Sequence, residues 1–432
     1  MKKRFIFILC GLFLCAGTIA ATDYNALQQG AVGDGKTLNT KSLQSAIDAL
    51  HAKGGGQLYF PAGRYLTGSL QLKSNVTLYL EKEAVLLGST SPYDYPGFST
   101  EKELKVNNDH FDQALIYAEG AENIGITGEG CIDGQGRELA LTIDSLHHTG
   151  ELVDKHYNTY RKRPNTRPKL LFMRNCRKVE LRKTNFRSGA AWGLSFSLCA
   201  DLTIDSLHVE NRAYWNNDGI DISDCKDVRI SNCFINSADD GICLKSHNRG
   251  AWNDRVSISN CHIISSASAI KFGTESLGGF KNVTIDNIRI KDTFRSAIAI
   301  ESVDGAEIEN VKLENIEIVC PGRATRGMAY MSVSRLKDVP ENEKGYPEFT
   351  MFEELPSWGF YVRHVKGIQM HNVKLRLQED DFRPAFVFDR VSDVRLSDIS
   401  LPENKKEGQV VLRQTSLQSA DDAVKEYITE VE

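Results

Sequence analysis

The sequence predicts an all-β fold wound as one parallel β-helix, a solenoid, and three observations lead there. Short strand-like units recur along the chain, among them "NVTLYL" from Asn75, "KVELR" from Lys178, "DLTID" from Asp201, "RVSIS" from Arg255 and "DVRLS" from Asp393. Their central apolar residues Leu181, Ile204, Ile230, Ile258, Ile285 and Ile308 lie 23, 26, 28, 27 and 23 residues apart. No heptad or paired-helix repeat gives that spacing. Asn, Asp, Gly and Ser fill the intervals, as turns between very short strands require. A coil of about 25 residues matches one rung, in which each strand bonds to its equivalent one turn on, roughly 4.8 Å away.

The elements follow in chain order. "MKKRFIFILCGLFLCAGTIAAT" has a basic start, an apolar run and small residues at Ala20 and Ala21, which predicts a secretory signal peptide over residues 1–21. Its apolar run is short for a membrane span, and neither Cys10 nor Cys15 follows the small residue that lipid attachment favours. The expectation is an exported chain, periplasmic or extracellular, with a lipoprotein as the lesser alternative and no membrane span. Residues 22–432 then form a single domain.

"TKSLQSAIDAL" spaces Leu43, Ala46, Ile47 and Leu50 as one helix face, predicting a short helix that caps the open end of the first coil. Winding starts at "KGGGQLYFPAGRYLTGS". The recurring "RNC" at Arg174 and "SNC" at Ser231 and Ser259 predict side chains stacked in register, with buried Asn ladders satisfying turn amides. Two stretches break the period, residues 134–169 and 321–360. Insertions of this kind in a solenoid lie on one face and often wall a groove.

Eight cysteines follow residue 21, with no CxxC pair and no Cys/His cluster at zinc spacing, so they read as buried thiols. The formal charge of −5 argues against a nucleic-acid partner.

Acids inside core-like sequence carry the functional signal. "NNDGIDISDC" from Asn216 and "SADDGICLKS" from Ser237 put Asp218 and Asp239 21 residues apart, about one coil, with Asp240 beside the second. Adjacent rungs would gather all three on one outer face, where mutual repulsion raises at least one pKa and sets an acid beside a base. Taken singly, an Asp-Gly is a turn. Two acidic motifs one coil apart favour a site.

With these motifs the chain resembles the polygalacturonase-type glycoside hydrolases of family 28, right-handed parallel β-helices that cleave pectic polysaccharides. The resemblance runs from "GAVGDGKTLNTKSLQSAIDAL" through "RPKLLFMRNC" and "SGAAWGLSFSLC". The family's Asn-Thr-Asp-Gly appears as Asn216, Asn217, Asp218 and Gly219, and its Gly-Asp-Asp as Ala238, Asp239 and Asp240. "GTES" from Gly273, which contains Glu275, is similar to the Gly-Ser-Glu of exo-acting members. The likeness implies inverting hydrolysis without metal or other cofactor. Asp239 would protonate the leaving oxygen, while Asp218 and Asp240 would activate water, acid and base standing roughly 6.5–9.5 Å apart. A pectic poly- or oligosaccharide, including a rhamnogalacturonan type, is the implied substrate, attacked from a chain end by a monomer.

The pattern also departs from the family. "SSASAIKFG" has no histidine where members carry Gly-His-Gly, and "AIAIES" puts Ala299 and Glu301 where they carry Arg-Ile-Lys. Lys245 and Lys271, placed near the acids by coil arithmetic, are the candidate replacement cations. Asn216, Glu275 and Glu301 join them as candidate sugar contacts, the two glutamates equally able to pair with the lysines. His247 and the basic run "YRKRPNTRPK" from Tyr160 read chiefly as a solvated loop. Trp192, Trp215 and Trp252 fit sugar stacking and core packing alike. Two other functions remain in view, a β-helical lyase using the acids to hold Ca²⁺ and a non-catalytic glycan-binding solenoid.

Overall fold

A computed structural model describes residues 22–95, 113–322, 333–342, 355–402 and 408–432; the expected signal segment and part of the second insertion lie outside them. The chain is a right-handed parallel β-helix whose strands each pair in parallel with their equivalent one coil on. A typical coil contributes one strand to a twelve-stranded ladder and two to a larger one, as Lys169–Arg174, Arg177–Arg182 and Asn185–Arg187 do. In later coils the latter two fuse, giving the 13-residue strands Asn253–Ser265 and Ile308–Cys320.

Alternation of inward apolar and outward polar residues fixes the register, because a slip of one residue would turn each core side chain to solvent. One inward column passes through Leu58, Leu78, Ile126, Leu181, Ile204, Ile230, Ile258 and Ile285 to Leu313, Met370 and Leu396. All are buried, each worth about 2 kcal/mol of apolar transfer. The column corrects the last step of the sequence period: Ile285 pairs with Leu313, and Ile308 with Phe280. Fusion of two strands puts several isoleucines within one coil, and spacing alone does not tell them apart.

The predicted cap forms as the helix Thr40–Ala52, burying Leu43, Ala46, Ile47 and Leu50. Gln44 ties it to the first coils through the backbone of Gln71. The Asn columns are exposed, and they bond side chain to side chain, Asn287 to Asn260 at 2.8 Å and Asn260 to Asn232 at 3.2 Å. These asparagines sit at positive φ, near +55°, which Asn tolerates better than most residues. The expected buried ladder is instead a thiol column, with Cys176 N–H on Cys199 Sγ and Cys199 N–H on Cys225 Sγ, each at 3.4 Å. The eight cysteines are free thiols.

The first insertion carries a helix the sequence reading missed, Gly136–Thr149, buried through Leu139, Ala140 and Ile143. Its following loop is gathered by Asp154, which accepts from the N–H groups of Asn165 and Thr166 and from the Thr166 hydroxyl. In the second insertion, Leu336 and Leu355 pack over Ala299, Tyr361, Val387 and Val411 on the outer face of the twelve-stranded ladder. Among the described residues no helix is long and apolar enough to cross a membrane.

Candidate active site

Four strands of that ladder build the site: Ile220–Ser223, Ile242–Ser246, Ile270–Ser276 and Ile298–Ile300. Ile220, Ile222, Ile242 and Leu244 point into the core, so the alternate residues Asp221, Cys243 and Lys271 form one outward row, and Ser223 and Lys245 another. The acidic motifs lie where the chain enters the first two strands. Gly219 N–H bonds to Asp240 O and Asp239 N–H to Asn217 O, so the equivalent of Asp218 one coil on is Asp240, and Asp239 follows Asn217. This shifts by one residue the alignment that coil arithmetic suggested.

The glycines after the aspartates are not left-handed turns. A Cβ on Gly219 would stand 2.4 Å from Gly241 O, and one on Gly241 would stand 2.5 Å from Ala269 O. They are needed because successive coils approach closely there.

The aspartates occupy two depths. Asp218 and Asp240 are almost fully buried, with carboxylate oxygens within 4.8 Å of one another. A quarter of the Asp239 side chain reaches solvent, and of the three only Asp239 lines an open cleft of roughly 640 Å³. Lys271 Nζ donates to Asp240 Oδ2 at 3.2 Å, and Ser268 N–H to Asp240 Oδ1 at 3.2 Å. Lys245 Nζ stands 3.4 Å from Asp221 and 3.7 Å from Asp218, beneath the Trp192 ring at 4.6 Å. Arg295 reaches Asp239 at 3.8 Å.

These placements separate the acids. Burial, followed by the Asp221 and Asp239 charges, pushes Asp218 well above the usual carboxylate range. Burial and the neighbouring Asp240 raise Asp239, against the pull of Arg295 and Lys271. Burial acts on Asp240 too, but Lys271, Arg295 and Lys245 together outweigh it and hold that carboxyl low. The cluster therefore keeps protons on Asp218 and Asp239 in preference to Asp240.

The predicted sugar contacts fall differently. Asn216 lines the cleft, with its side-chain oxygen taken by Arg163 and Arg167. Lys245 and Lys271 are buried among the carboxylates and do not line the cleft. Glu275 is buried against His247, and Glu301, 1% exposed, has no hydrogen-bond partner for either carboxylate oxygen among the described residues. Trp192 is buried, Trp215 is half exposed on the cleft wall, and Trp252 lies under Lys281. The basic run is not a solvated loop throughout: Arg163, Arg167 and Lys169 are buried, and Arg167 donates to Trp215 O at 2.7 Å, so this stretch buttresses the cleft wall.

Sequence reasoning missed Asp221, although it lies inside "NNDGIDISDC", where strict alternation in "IDIS" marks it as outward-facing. It also missed Arg137, Arg212 and Arg295, three cations on the cleft. They come from an insertion helix and from turns, which carry no periodic signal.

The family model described as glycosyl hydrolases family 28 matches residues 56–320, and one described as rhamnogalacturonase A/epimerase, pectate lyase-like, matches residues 24–84. A probable polygalacturonase of Vitis vinifera is 30% identical over 65% of this chain and 55% of its own length. An exo-poly-α-D-galacturonosidase of Dickeya chrysanthemi is 28% identical over 50% and 41%. The chain thus spans about half the length of the curated relatives it matches. The structure of a Yersinia enterocolitica family 28 exopolygalacturonase covers 95% of this chain and 78% of its own at a TM-score of 0.59 and 21% identity, a likeness of fold.

Proposed function

The chain belongs to family 28 of the glycosyl hydrolases, and we propose that it is an exported enzyme that hydrolyses glycosidic bonds of pectic poly- or oligosaccharides with inversion. The observation that carries this reading is the unequal setting of three clustered aspartates, Asp239 facing the cleft above Asp240 and Asp218. Asp239, whose carboxyl burial and Asp240 push above the usual range, gives its proton to the glycosidic oxygen as the bond to the anomeric carbon breaks. Asp240, held ionised by Lys271, takes a proton from the water that attacks the same carbon from the opposite face. Asp218 stands close enough to Asp240 to hydrogen-bond that water.

Attack from a chain end is supported by the second insertion. Leu336 and Leu355 cover the outer face at Ala299, on the last strand of the site, and at Tyr361 on the coil after it, so a polymer laid along the ladder meets a wall there. The short match to the rhamnogalacturonase model keeps a rhamnogalacturonan-type substrate in the proposal.

The lyase alternative is disfavoured by the ammonium groups. Lys245 and Lys271 stand among Asp218, Asp221 and Asp240, where Ca²⁺ would need carboxylate oxygens to itself. Incubation with galacturonan and rhamnogalacturonan fragments, followed by reducing ends, anomeric configuration and ultraviolet absorbance, tests the reading. Inverted reducing ends lost in Asp239→Asn are expected; unsaturated products, or full turnover by Asp239→Asn, would overturn it.

A further inference from the structure

An acidic sugar meets no open cation at the positions where the family pattern puts them. Ala299 lies under the apolar cover and Glu301 is an acid. Lys245 and Lys271 are buried among the aspartates and do not line the cleft. The cleft is lined instead by Arg137, Arg161, Arg212 and Arg295, and Asp239 is the one acid among the described residues that line it. That excess of guanidinium groups gives the cleft a positive potential, which draws anionic ligands. Two of the four are committed to the protein. Arg212 donates to Asn236, Ser237 O and Ser266 at 2.7–3.0 Å, and Arg295 stands 3.8 Å from Asp239.

Arg137 and Arg161 both come from the first insertion, one in the first turn of the helix Gly136–Thr149 and the other in the basic run. Both are exposed, and among the described residues neither makes an ion pair. The same wall presents Trp215, half exposed, with the Arg161 guanidinium 5.9 Å from its ring centroid. Its backbone is held in place: Arg167, fully buried, donates to Trp215 O at 2.7 Å, and Arg163 and Arg167 both reach the Asn216 side chain. A flat ring fixed before any ligand arrives, with a guanidinium beside it, can take a sugar face and a carboxylate together at little ordering cost.

We propose that the first insertion sets the specificity of this site: a sugar of the bound chain stacks on Trp215 and its carboxylate is read by Arg137 and Arg161, so the sugar entering the cleft beside Asp239 is an unesterified uronate. The inference rests on the hydrolase reading above and deepens it, moving charge recognition from the ladder strands to the insertion. Arg163 and Arg167 are positioning residues, acting through Trp215 and Asn216. Asp239 remains the acid, and Arg295 remains at its side. A methyl-esterified sugar keeps its ring and loses its charge, so it engages Trp215 alone.

The test is calorimetric binding of trigalacturonate and of its full methyl ester to Asp239→Asn, which is compared with the same protein carrying Arg137→Gln with Arg161→Gln, Arg137→Lys with Arg161→Lys, or Trp215→Ala. In Asp239→Asn the free acid is expected to bind about tenfold more tightly than the ester at low salt, two exposed charge-assisted contacts being worth about threefold each. The preference shrinks as salt is raised, because exposed pairs are screened. The paired Gln substitutions abolish it, and the paired Lys substitutions, which keep the charge, retain part of it. Trp215→Ala weakens the binding of both ligands. Equal binding of acid and ester before any arginine is changed, a preference that survives the paired Gln substitutions, or unaltered affinities in Trp215→Ala would each overturn the proposal. Reducing ends released by the wild-type protein judge the hydrolase reading separately. Binding with the expected pattern but no released ends keeps the subsite and removes the hydrolase; released ends without a preference for the acid do the reverse.

Discussion

Lys271 and Asp240 form an ion pair 3.2 Å apart with side chains only 6% and 4% exposed, one coil separating their backbones. Removing one partner of a buried pair leaves the other charge without compensation. Lys271→Met is therefore expected to lose about 3 kcal/mol or more in urea unfolding near neutral pH. The sign of the pH dependence follows from the depressed Asp240 pKa. In the native protein the pair stabilises above the unfolded carboxyl pKa and is lost as pH falls through the folded value, so the deficit of the variant shrinks in acid. If Asp240 is the base, as proposed, it must be ionised to accept a proton, and the acidic limb of kcat/KM moves to higher pH in the variant. An unmoved limb would mean that Lys271 does not set the charge of Asp240.

Glu301 makes the opposite prediction. Burial drives its pKa up to about 7, against the pull of Lys271 and Arg295, and neither oxygen has a hydrogen-bond partner among the described residues. A group that binds its proton more tightly when folded favours the native state below its unfolded pKa, and that advantage disappears as pH rises through the folded value. Stability should decline between about pH 4.5 and 7 on this account. Glu301→Gln removes the penalty, gaining up to about 3 kcal/mol at pH 8 and little at pH 4. Urea melts of both proteins at the two pH values check it; equal differences at both would show that Glu301 does not titrate in this range.

The winding and the acidic cluster were legible because both repeat. Leu181, Ile204 and Ile230 announce the coil through spacing, and Asp218 and Asp240 fall one coil apart in sequence that is otherwise apolar. What repetition does not encode was lost. Arg295 and Arg212 sit on turns, whose side-chain directions no period fixes, and the helix carrying Arg137 lies in an insertion. Coil spacing puts Lys271 near the acids, but its depth is not readable from sequence: outward on a β-helix can still mean buried when loops and neighbouring coils close over the face. The Ile308 misstep has the same root, since strand fusion alters spacing without altering composition.

Gly241 tests whether close coil approach positions Asp240, the proposed base. A Cβ there would meet Ala269 O at 2.5 Å and Ile263 Cγ2 at 2.5 Å, contacts that cannot both relax without moving a strand. Gly241 directly follows Asp240, whose anchors Ser268 N–H and Lys271 lie on the coil that must move. Gly241→Ala should cost about 1–3 kcal/mol by overpacking and lower kcat more than it raises KM. Unfolding curves with initial rates decide it. A variant of wild-type stability would show that the coils have slack at this step.

The apolar cover over Ala299 predicts the product pattern. Leu336 and Leu355 are almost fully buried against Tyr361, Val387 and Val411, and Glu341 clamps the same segment to Arg363, His364 and Arg390. If this wall restricts the enzyme to chain ends, the earliest products from a long pectic chain are one small species and the viscosity of the polymer falls slowly. Replacing Leu336 by Asn and Glu341 by Gln withdraws one apolar contact and the clamp together, costing about 2–4 kcal/mol locally. Early products should then spread to mixed oligomers and viscosity fall faster for the same number of bonds cut. Chromatography of products taken below a few per cent conversion distinguishes the cases. Mixed oligomers from the unmodified protein, or an unchanged single product after hydrogen exchange shows the cover opened, would each remove the cover as the cause of end-wise attack.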